Sequence, residues 1–466
     1  MKRIAIVGGG VSGLATAYSL DRQLEAAGLS AEMLIFESQP KPGGTMRTIQ
    51  EQGFFMESGP NGFLTNKPHA LDLARELGLE NRLQKSSGLA RKRFVFSRGR
   101  LHRLPETPGA FLGCRLLSPG GRLRVLAEPF VRPGSRQQDE SVAQFASRRL
   151  GQEAMEKLIE PMTAGVFAGN PDQLSLRSCF PRIHELESRY GGLIKAMLAL
   201  RGERRRRGVK QSMSAGPGGV LTSFDAGVEV LIDSLAGCLA KSLRLNAAVE
   251  AVSRCNGKYL LSVRENSGSA QCEADAVVLA TPAHAAGRLL GVSAPELGAE
   301  LERIPYVPVA VVALGFDAAA LSRPWDGFGF LVPRKEGRGI LGALWDSSVF
   351  EGRAPAGKAL VRVMVGGARQ PELARLTQGE LLALVREELR GIMGIKAEPV
   401  LSRVFFHEQG IPQYLVGHGQ VLERLNARLA AWPGFYLNSN AYRGVSLNDC
   451  IRESKLAAQS MLKVIE

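Results

Sequence analysis

Gly8, Gly10 and Gly13 stand directly between an apolar strand-like run and a helical one. That spacing lets backbone amides approach a pyrophosphate at the positive end of a helix, and Gly9, Val11 and Ser12 complete the same turn. Glu37, followed by Ser38, closes the next apolar run, where a carboxylate can accept hydrogen bonds from ribose hydroxyls; a 2′-phosphate would want a cation there instead. The chemistry so defined is dinucleotide binding, against the plainer reading of a structural glycine turn. In Pro42-Gly43-Gly44-Thr45-Met46-Arg47, paired glycines expose amides and Arg47 can neutralise phosphate charge; taken alone, the segment would be a Pro-Gly turn after a strand. No second GxGxxG is present for a nicotinamide dinucleotide, and no side chain stands out as a general acid or base.

The elements that must hold these residues follow from hydrophobic period. Arg3 to Val7 reads as a strand, Leu14 to Ala27 as a helix and Met33 to Phe36 as a second strand, together a βαβ unit. From about Pro108 to Leu200, helical segments are interrupted by Pro108-Gly109, Pro119-Gly120 and Pro133-Gly134. Val228 to Lys241 reads as a helix, and Ala247 to Val252, Tyr259 to Val263 and Ala276 to Ala280 as strands. Strands Val307 to Phe316, Phe328 to Val332 and Leu360 to Val365, with a helix Gln378 to Arg390, give the pattern of an α+β domain. Phe435 to Leu462 returns to strand, glycine turn and helix, and no repeat of solenoid period occurs.

The 466 residues exceed what one core usually supports, so two or three domains are expected. At 45% hydrophobic and 22% charged, the composition is that of a globular chain rather than a disordered one. A net charge of +14 would suit an anionic partner, yet neither zinc-finger spacing nor ribonucleoprotein aromatics accompany it, and nucleic acid is not expected. Part of that charge lies in Arg201, Arg204 to Arg207 and Lys210, beside the loop-like Ser212 to Gly219, which reads as a solvated loop rather than an anion site. The six cysteines are scattered and the histidines do not cluster, so no metal site or redox dithiol is expected; reduced thiols fit a cytoplasmic protein. Met1-Lys2-Arg3-Ile4 runs into a strand without a cleavable apolar segment, and no apolar run approaches the ~20 residues of a membrane-spanning helix.

In their order along the chain these segments resemble the amine-oxidase and protoporphyrinogen-oxidase flavoprotein superfamily. The likeness rests on GxGxxG with Pro42 to Arg47, on Glu57-Ser58-Gly59-Pro60-Asn61, on Ala248-Val249-Glu250-Ala251-Val252, on Val277-Val278-Leu279-Ala280-Thr281-Pro282, and on the tail Asn440 to Cys450. That tail lacks the Glu-Gly-Ala ending usual in amine oxidases. Together with Gly165 to Gly169, Leu174-Ser175, Gly327 to Pro333, Val365-Gly366-Gly367 and Ile411-Pro412-Gln413-Tyr414, this is similar to the protoporphyrinogen-oxidase family, over essentially the whole chain. Asn438-Ser439 departs from the pattern, since relatives place a glycine or small residue there, and a side chain at that point would alter how closely backbone approaches the cofactor. Thr45 stands where relatives vary.

The resemblance implies a fold of α/β and α+β class: a Rossmann-like FAD-binding domain of the amine-oxidase type, a mixed-sheet substrate domain and a helical, membrane-associated domain. Residues 1–88, 216–288 and 425–466 would bind FAD, 89–108, 194–215 and 289–424 would bind substrate, and 109–193 would be helical. One non-covalent FAD per chain is implied, held by Gly8, Gly9, Gly10, Val11, Ser12, Gly13, Glu37, Ser38, Gly44, Thr45, Arg47, Gly59, Pro60, Asn61, Gly62, Val249, Thr281, Asn440, Val445, Ser446 and Leu447. A tetrapyrrole would lie against Arg93, Gly165, Phe328, Gly329, Leu331, Leu344, Met364 and Asn61, with Arg93 pairing a propionate, Leu331, Leu344 and Met364 as an apolar clamp, and the Gly165 carbonyl facing pyrrole hydrogens. Without the resemblance, Arg93 is a surface arginine on an edge strand and the apolar residues are ordinary core.

The reaction implied is the six-electron aromatisation of protoporphyrinogen IX to protoporphyrin IX in haem synthesis, as three two-electron flavin cycles. Dioxygen, giving hydrogen peroxide, or a quinone would be the acceptor. Phe111 to Val131, where Leu112, Leu116, Leu117, Leu123, Val125, Leu126 and Phe130 mix with Arg115, Arg122 and Arg124, would either rest on anionic lipid at the inner face of the cell membrane or cap the core. The alternatives are a coproporphyrinogen III oxidase of the same family, an FAD-dependent amine oxidase, and a non-catalytic binding protein on the same fold. A homodimer is left open.

Overall fold

The structure is a computed structural model that describes residues 1–135, 138–206, 219–266, 268–322 and 324–466. Strand Lys2–Val7 is buried from Ile4 onward because it lies in the middle of a parallel sheet covered on both faces. Across that five-stranded sheet the order is Leu243–Arg244, Ala31–Phe36, Lys2–Val7, Ala276–Leu279 and Phe435–Leu437, every pair parallel. Three distant stretches of chain therefore build one nucleotide-type sheet. Helix Val11–Ala27 begins ahead of the expected Leu14, because the glycine turn feeds straight into its first turn, and it ends on Gly28 in the left-handed conformation at φ +64°. On one face of the sheet this helix packs with Glu229–Cys238 and the C-terminal helix Leu447–Ile465, through Leu14, Leu20, Leu231, Leu235, Ile451 and Met461. The other face is covered by the antiparallel strands Ala248–Cys255, Lys258–Glu265 and Gly268–Ala274 and by helix Ala283–Leu290.

A second, seven-stranded sheet runs Leu401–Pro412, Tyr306–Asp317, Lys358–Gly366, Gly342–Leu344, Gly329–Leu331, Arg93–Ser97 and Arg100–Arg103. It is mixed, since Gly329–Leu331 and Arg93–Ser97 are parallel while every other pair is antiparallel. Side chains alternate along a strand, so Phe96, Val312, Phe330, Ala343 and Val363 fall on one face, where they meet Leu381, Val385, Leu389 and Ile392 of helix Gln378–Met393. That helix is fixed at its start by a capping box between Thr377 and Glu380 and runs three residues past the expected end. The opposite face carries Arg93, Leu331, Leu344, Arg362 and Met364.

Helices dominate from Pro108 to Arg206. Their packing is organised by Arg149 and Glu128, an ion pair at 2.6 Å with neither side chain exposed, in which Glu128 also accepts from the amides of Leu193 and Ile194 at the head of helix Leu193–Arg206. Phe111 to Val131 is not one helix but the end of Pro108–Leu112, then Pro119–Leu126 and a short turn Glu128–Phe130. Leu116 and Leu117 are buried and cap the core, whereas Leu112, Leu123, Leu126 and Phe130 are exposed. Among the described residues no helix is long and apolar enough to cross a membrane, and no three metal-ligating side chains gather. The cysteines are unpaired. Most of the basic loop that the sequence singles out, residues 207–218, lies outside the described residues.

Candidate functional site

The glycine turn is shaped for backbone contact. Gly8 adopts φ +109°, and a Cβ on Gly13 would stand 1.9 Å from the Gly8 carbonyl oxygen, so a side chain is excluded there. A Cβ on Gly10, by contrast, would meet nothing within 4 Å. The helix that follows has no side-chain cap and no acidic residue in its first turn, which leaves its leading amides to an anion. Glu37 is buried across this turn, Oε2 accepting from Gly9 N and Oε1 from Gln39 N, both at 2.8 Å, with the Ser38 hydroxyl at 3.3 Å. The Ala247 amide donates to the Glu37 carbonyl at 2.9 Å and brings Val249 into the same corner.

The second motif is laid over the first. Gly43 N donates to Gly9 O at 2.9 Å, which places Gly44, at φ +58°, and Thr45 beside Gly10. Arg47 is tied through Nε to Glu229 at 2.8 Å, so part of its charge is already met. Added Cβ atoms on Gly59 and Gly62 would each lie 2.4 Å from a carbonyl oxygen, of Thr45 and Thr222 respectively, so the loop holding Pro60 and Asn61 depends on both glycines. Thr281 packs against Gly8, and its buried hydroxyl has no partner among the described residues. Open space at Gly10, uncapped amides and this orphaned hydroxyl all fit a bound dinucleotide.

Chain from the far end closes the cradle. Ser446 caps helix Leu447–Ile465, its Oγ accepting from Asp449 N at 3.3 Å and donating to Asp449 Oδ2 at 2.5 Å. Asn440 and Val445 lie on the loop that leads into it from strand Phe435–Leu437, the neighbour of Ala276–Leu279. Asn438 does not crowd this loop. Its Nδ2 donates to Thr16 Oγ1 at 2.8 Å and Ser454 Oγ at 3.0 Å, so the departure noted in the sequence joins two helices instead.

On the mixed sheet, register places Arg93, Gly329, Leu344 and Arg362 in one row across four strands, and Val95, Leu331, Gly342 and Met364 in the next. Arg93, Phe328, Leu331, Leu344 and Met364 are all half-buried. Gly165, on helix Glu160–Phe167, approaches Leu331 so closely that an added Cβ would lie 2.8 Å from its Cδ2. The sheet does not place Arg93 at an edge, because Arg100–Arg103 lies outside its strand. Its guanidinium carbon sits 5.2 Å from the Phe328 ring centroid and makes no ion pair among the described residues. Burial pulls its pKa below the ordinary arginine value, against the attraction of the Glu106 carboxylate.

Arg362 and Asp346 are functional candidates that the sequence reading passed over. Arg362 is buried, pairs with Asp346, and donates Nη1 to the carbonyls of Glu57 and Gly59 at 2.9 and 3.1 Å. Asp346 Oδ1 accepts from Asn61 Nδ2 at 3.1 Å, while Asn61 Oδ1 is enclosed without a partner among the described residues. Behind them Glu57 meets Arg353 at 3.2 Å, both 1% exposed. Burial raises the Glu57 carboxyl above its usual range, against the pull of Arg353 and the Thr48 hydroxyl. Two arginines and two carboxyl groups thus fasten the Glu57–Asn61 loop to the mixed sheet. A charge inside an apolar strand, Val361-Arg362-Val363, is the signal that could have found Arg362.

A dinucleotide cradle built from both chain ends, set against a mixed sheet with an apolar face and a half-buried arginine, is the arrangement of a flavoprotein oxidoreductase. The family model described as flavin containing amine oxidoreductase matches residues 11–462, and the chain belongs to that family and is a flavin-dependent oxidoreductase. It is 31% identical to the coproporphyrinogen III oxidase of Bacillus subtilis (strain 168), over 99% of this chain and 98% of that one. To the chloroplastic protoporphyrinogen oxidase 1 of Arabidopsis thaliana it is 30% identical, over 96% of this chain and 85% of the relative. A crystal structure from Exiguobacterium sp. 255-15, assigned provisionally as a protoporphyrinogen oxidase, superposes with a TM-score of 0.83 at 29% identity and 99% coverage of both chains.

Proposed function

We propose that this chain oxidises a porphyrinogen to a porphyrin with FAD, and that protoporphyrinogen IX is its substrate. The observation that carries this reading is Arg93, half-buried, without an ion pair among the described residues and set over Phe328 on the sheet face that also carries Leu331, Leu344 and Met364. An apolar wall with a guanidinium that no carboxylate meets at contact distance among the described residues suits a flat macrocycle bearing carboxylates. FAD, which Gly8 to Gly13, Glu37, Ser38, Gly44, Thr45, Arg47, Gly59 to Gly62, Val249, Thr281, Asn440 and Val445 to Leu447 would hold, supplies when bound a two-electron acceptor whose three successive uses remove six electrons.

The protein's own share is positioning. Arg93 grips a propionate, Leu331, Leu344 and Met364 flank the ring and exclude water, and the Gly165 carbonyl accepts from a pyrrole N–H. With no acid or base assigned, orientation of a bridge carbon and the electron-rich pyrroles account for the rate. In this reading residues 1–88, 216–288 and 425–466 form the cofactor domain, 89–108, 194–215 and 289–424 the substrate domain and 109–193 a helical domain that touches anionic lipid at the inner face of the cell membrane. Dioxygen takes the electrons and leaves as hydrogen peroxide.

Anaerobic mixing with protoporphyrinogen IX should bleach the flavin absorbance band; a band that stays unchanged while dithionite still bleaches it would remove the proposal. Coproporphyrinogen III is the second reading, favoured by the near full-length Bacillus subtilis relative. Against it, Arg362 in the Arg93 row is already committed to Asp346, which leaves little free positive charge there for two further propionates. Porphyrin fluorescence recorded with both substrates side by side separates them.

A further inference from the structure

The segment Gln413–His418 leaves the mixed sheet and runs between the helices and the C-terminal cofactor loop. On the helical side the Tyr414 carbonyl accepts from Ser175 N, Gln413 Nε2 donates to the Phe167 carbonyl and Val416 N donates to the Gln173 carbonyl, each at 2.8 Å. On the other side the Tyr414 phenol spans the loop Asn440–Gly444, donating to the Asn440 carbonyl at 2.5 Å and accepting from Gly444 N at 2.9 Å. Its ring is 1% exposed and stacks on His418 with centroids 4.2 Å apart, and His418 Nε2 donates to the Tyr442 carbonyl at 3.1 Å. Two stacked rings therefore hold both ends and the middle of the loop. The loop's own bonds are long, Tyr442 N to Ser439 O at 3.4 Å and Ala441 N to Ser439 Oγ at 3.3 Å. Burial pushes ionisation of the phenol well above its usual range, so the hydroxyl keeps its proton and can donate and accept at once. Gly444 has little freedom to compensate, at φ +110° with Asp449 Cβ 2.5 Å from where its own Cβ would be.

We infer that Tyr414 is a positioning residue for the cofactor: its hydroxyl, backed by His418, latches Asn440–Gly444 so that the amides of Val445, Ser446 and Leu447 are presented at a fixed height to the flavin. This rests on the reading that residues 440–447 hold FAD. Phenylalanine fills the same space and removes both hydrogen bonds, so Tyr414→Phe isolates the latch.

Amide hydrogen exchange followed with and without FAD separates the two ideas. In the wild-type protein, added FAD should slow exchange across 440–447; if it does not, that loop does not hold the cofactor and the latch falls with it. Given such protection, Tyr414→Phe should speed exchange in the loop, raise the FAD dissociation constant about tenfold and shift the flavin midpoint potential, and apoprotein melting should fall as well because the Asn440 carbonyl and Gly444 amide lose their partner. An unaltered dissociation constant and potential in that variant would overturn the latch while leaving the cofactor site in place. Should Tyr414→Phe fail to fold, 3-fluorotyrosine at 414 retains the hydroxyl: its fluorine resonance should move when FAD is added, and a resonance that stays fixed counts against the proposal.

Discussion

Arg93 and Arg362 show how one residue type serves two ends on one row of a sheet. Arg362 is satisfied by Asp346 and two carbonyls and so holds structure together, whereas Arg93 has an aromatic face and no ion pair among the described residues, only the more distant pull of Glu106. Arg93→Ala should raise the Michaelis constant for the porphyrinogen by about tenfold or more, the size of a lost charge-assisted hydrogen bond, with Arg93→Lys intermediate because lysine cannot offer a bidentate fork. Steady-state kinetics on the flavin-replete enzyme reads this directly, and an unchanged constant would remove the propionate contact. Asp346→Ala has a different signature. It strands Arg362 in an interior where only 3% of the residue is exposed, and thermal or urea unfolding should register a loss of about 3–5 kcal/mol. Such pairs are hard to see in a sequence, since Arg362 and Asp346 are sixteen positions apart and become neighbours only through strand pairing.

At the level of elements, period and turn chemistry were enough to locate the first strand, helix and strand to within a few residues, because both strands carry apolar runs and glycines punctuate the helix at each end. Gly13→Ala should give a protein that folds poorly around its first turn and does not retain flavin, visible as loss of yellow colour on gel filtration, because the new methyl would lie 1.9 Å from a carbonyl oxygen. What stayed hidden has a common cause. The strands Arg93–Ser97 and Arg100–Arg103 join a sheet whose remaining strands begin more than two hundred residues later; local pattern carries no information about such pairing, and only the family resemblance grouped 89–108 with 289–424. The apolar segment Phe111 to Val131 was equally undecided, because leucines that cap a core and leucines that face outward look alike until the helices are packed. Asn438 is a third case: a polar residue just past strand Phe435–Leu437 that turns toward Thr16 and Ser454.

Across the whole molecule, exposed Leu112, Leu123, Leu126 and Phe130, the last 89% exposed, accompany a net charge of +14. Pure protein should co-sediment with anionic vesicles at low salt and be released as salt rises, since surface charge is screened within about 10 Å at 0.1 M. A Leu123→Ser, Phe130→Ser double variant should stay in the supernatant with turnover in detergent unaffected; equal sedimentation of both proteins would discard lipid contact. The five-stranded sheet has a further consequence, for folding. Ile4 at its centre pairs with Ala276, and the outer edge of that partner is covered by Phe435–Leu437. The second edge of Lys2–Val7 is thus paired only by chain as distant as Ala276–Leu279, and the edge of that strand by chain more distant still, so during folding Ala31–Phe36 and Lys2–Val7 wait as an open two-stranded edge for pairing of high sequence separation.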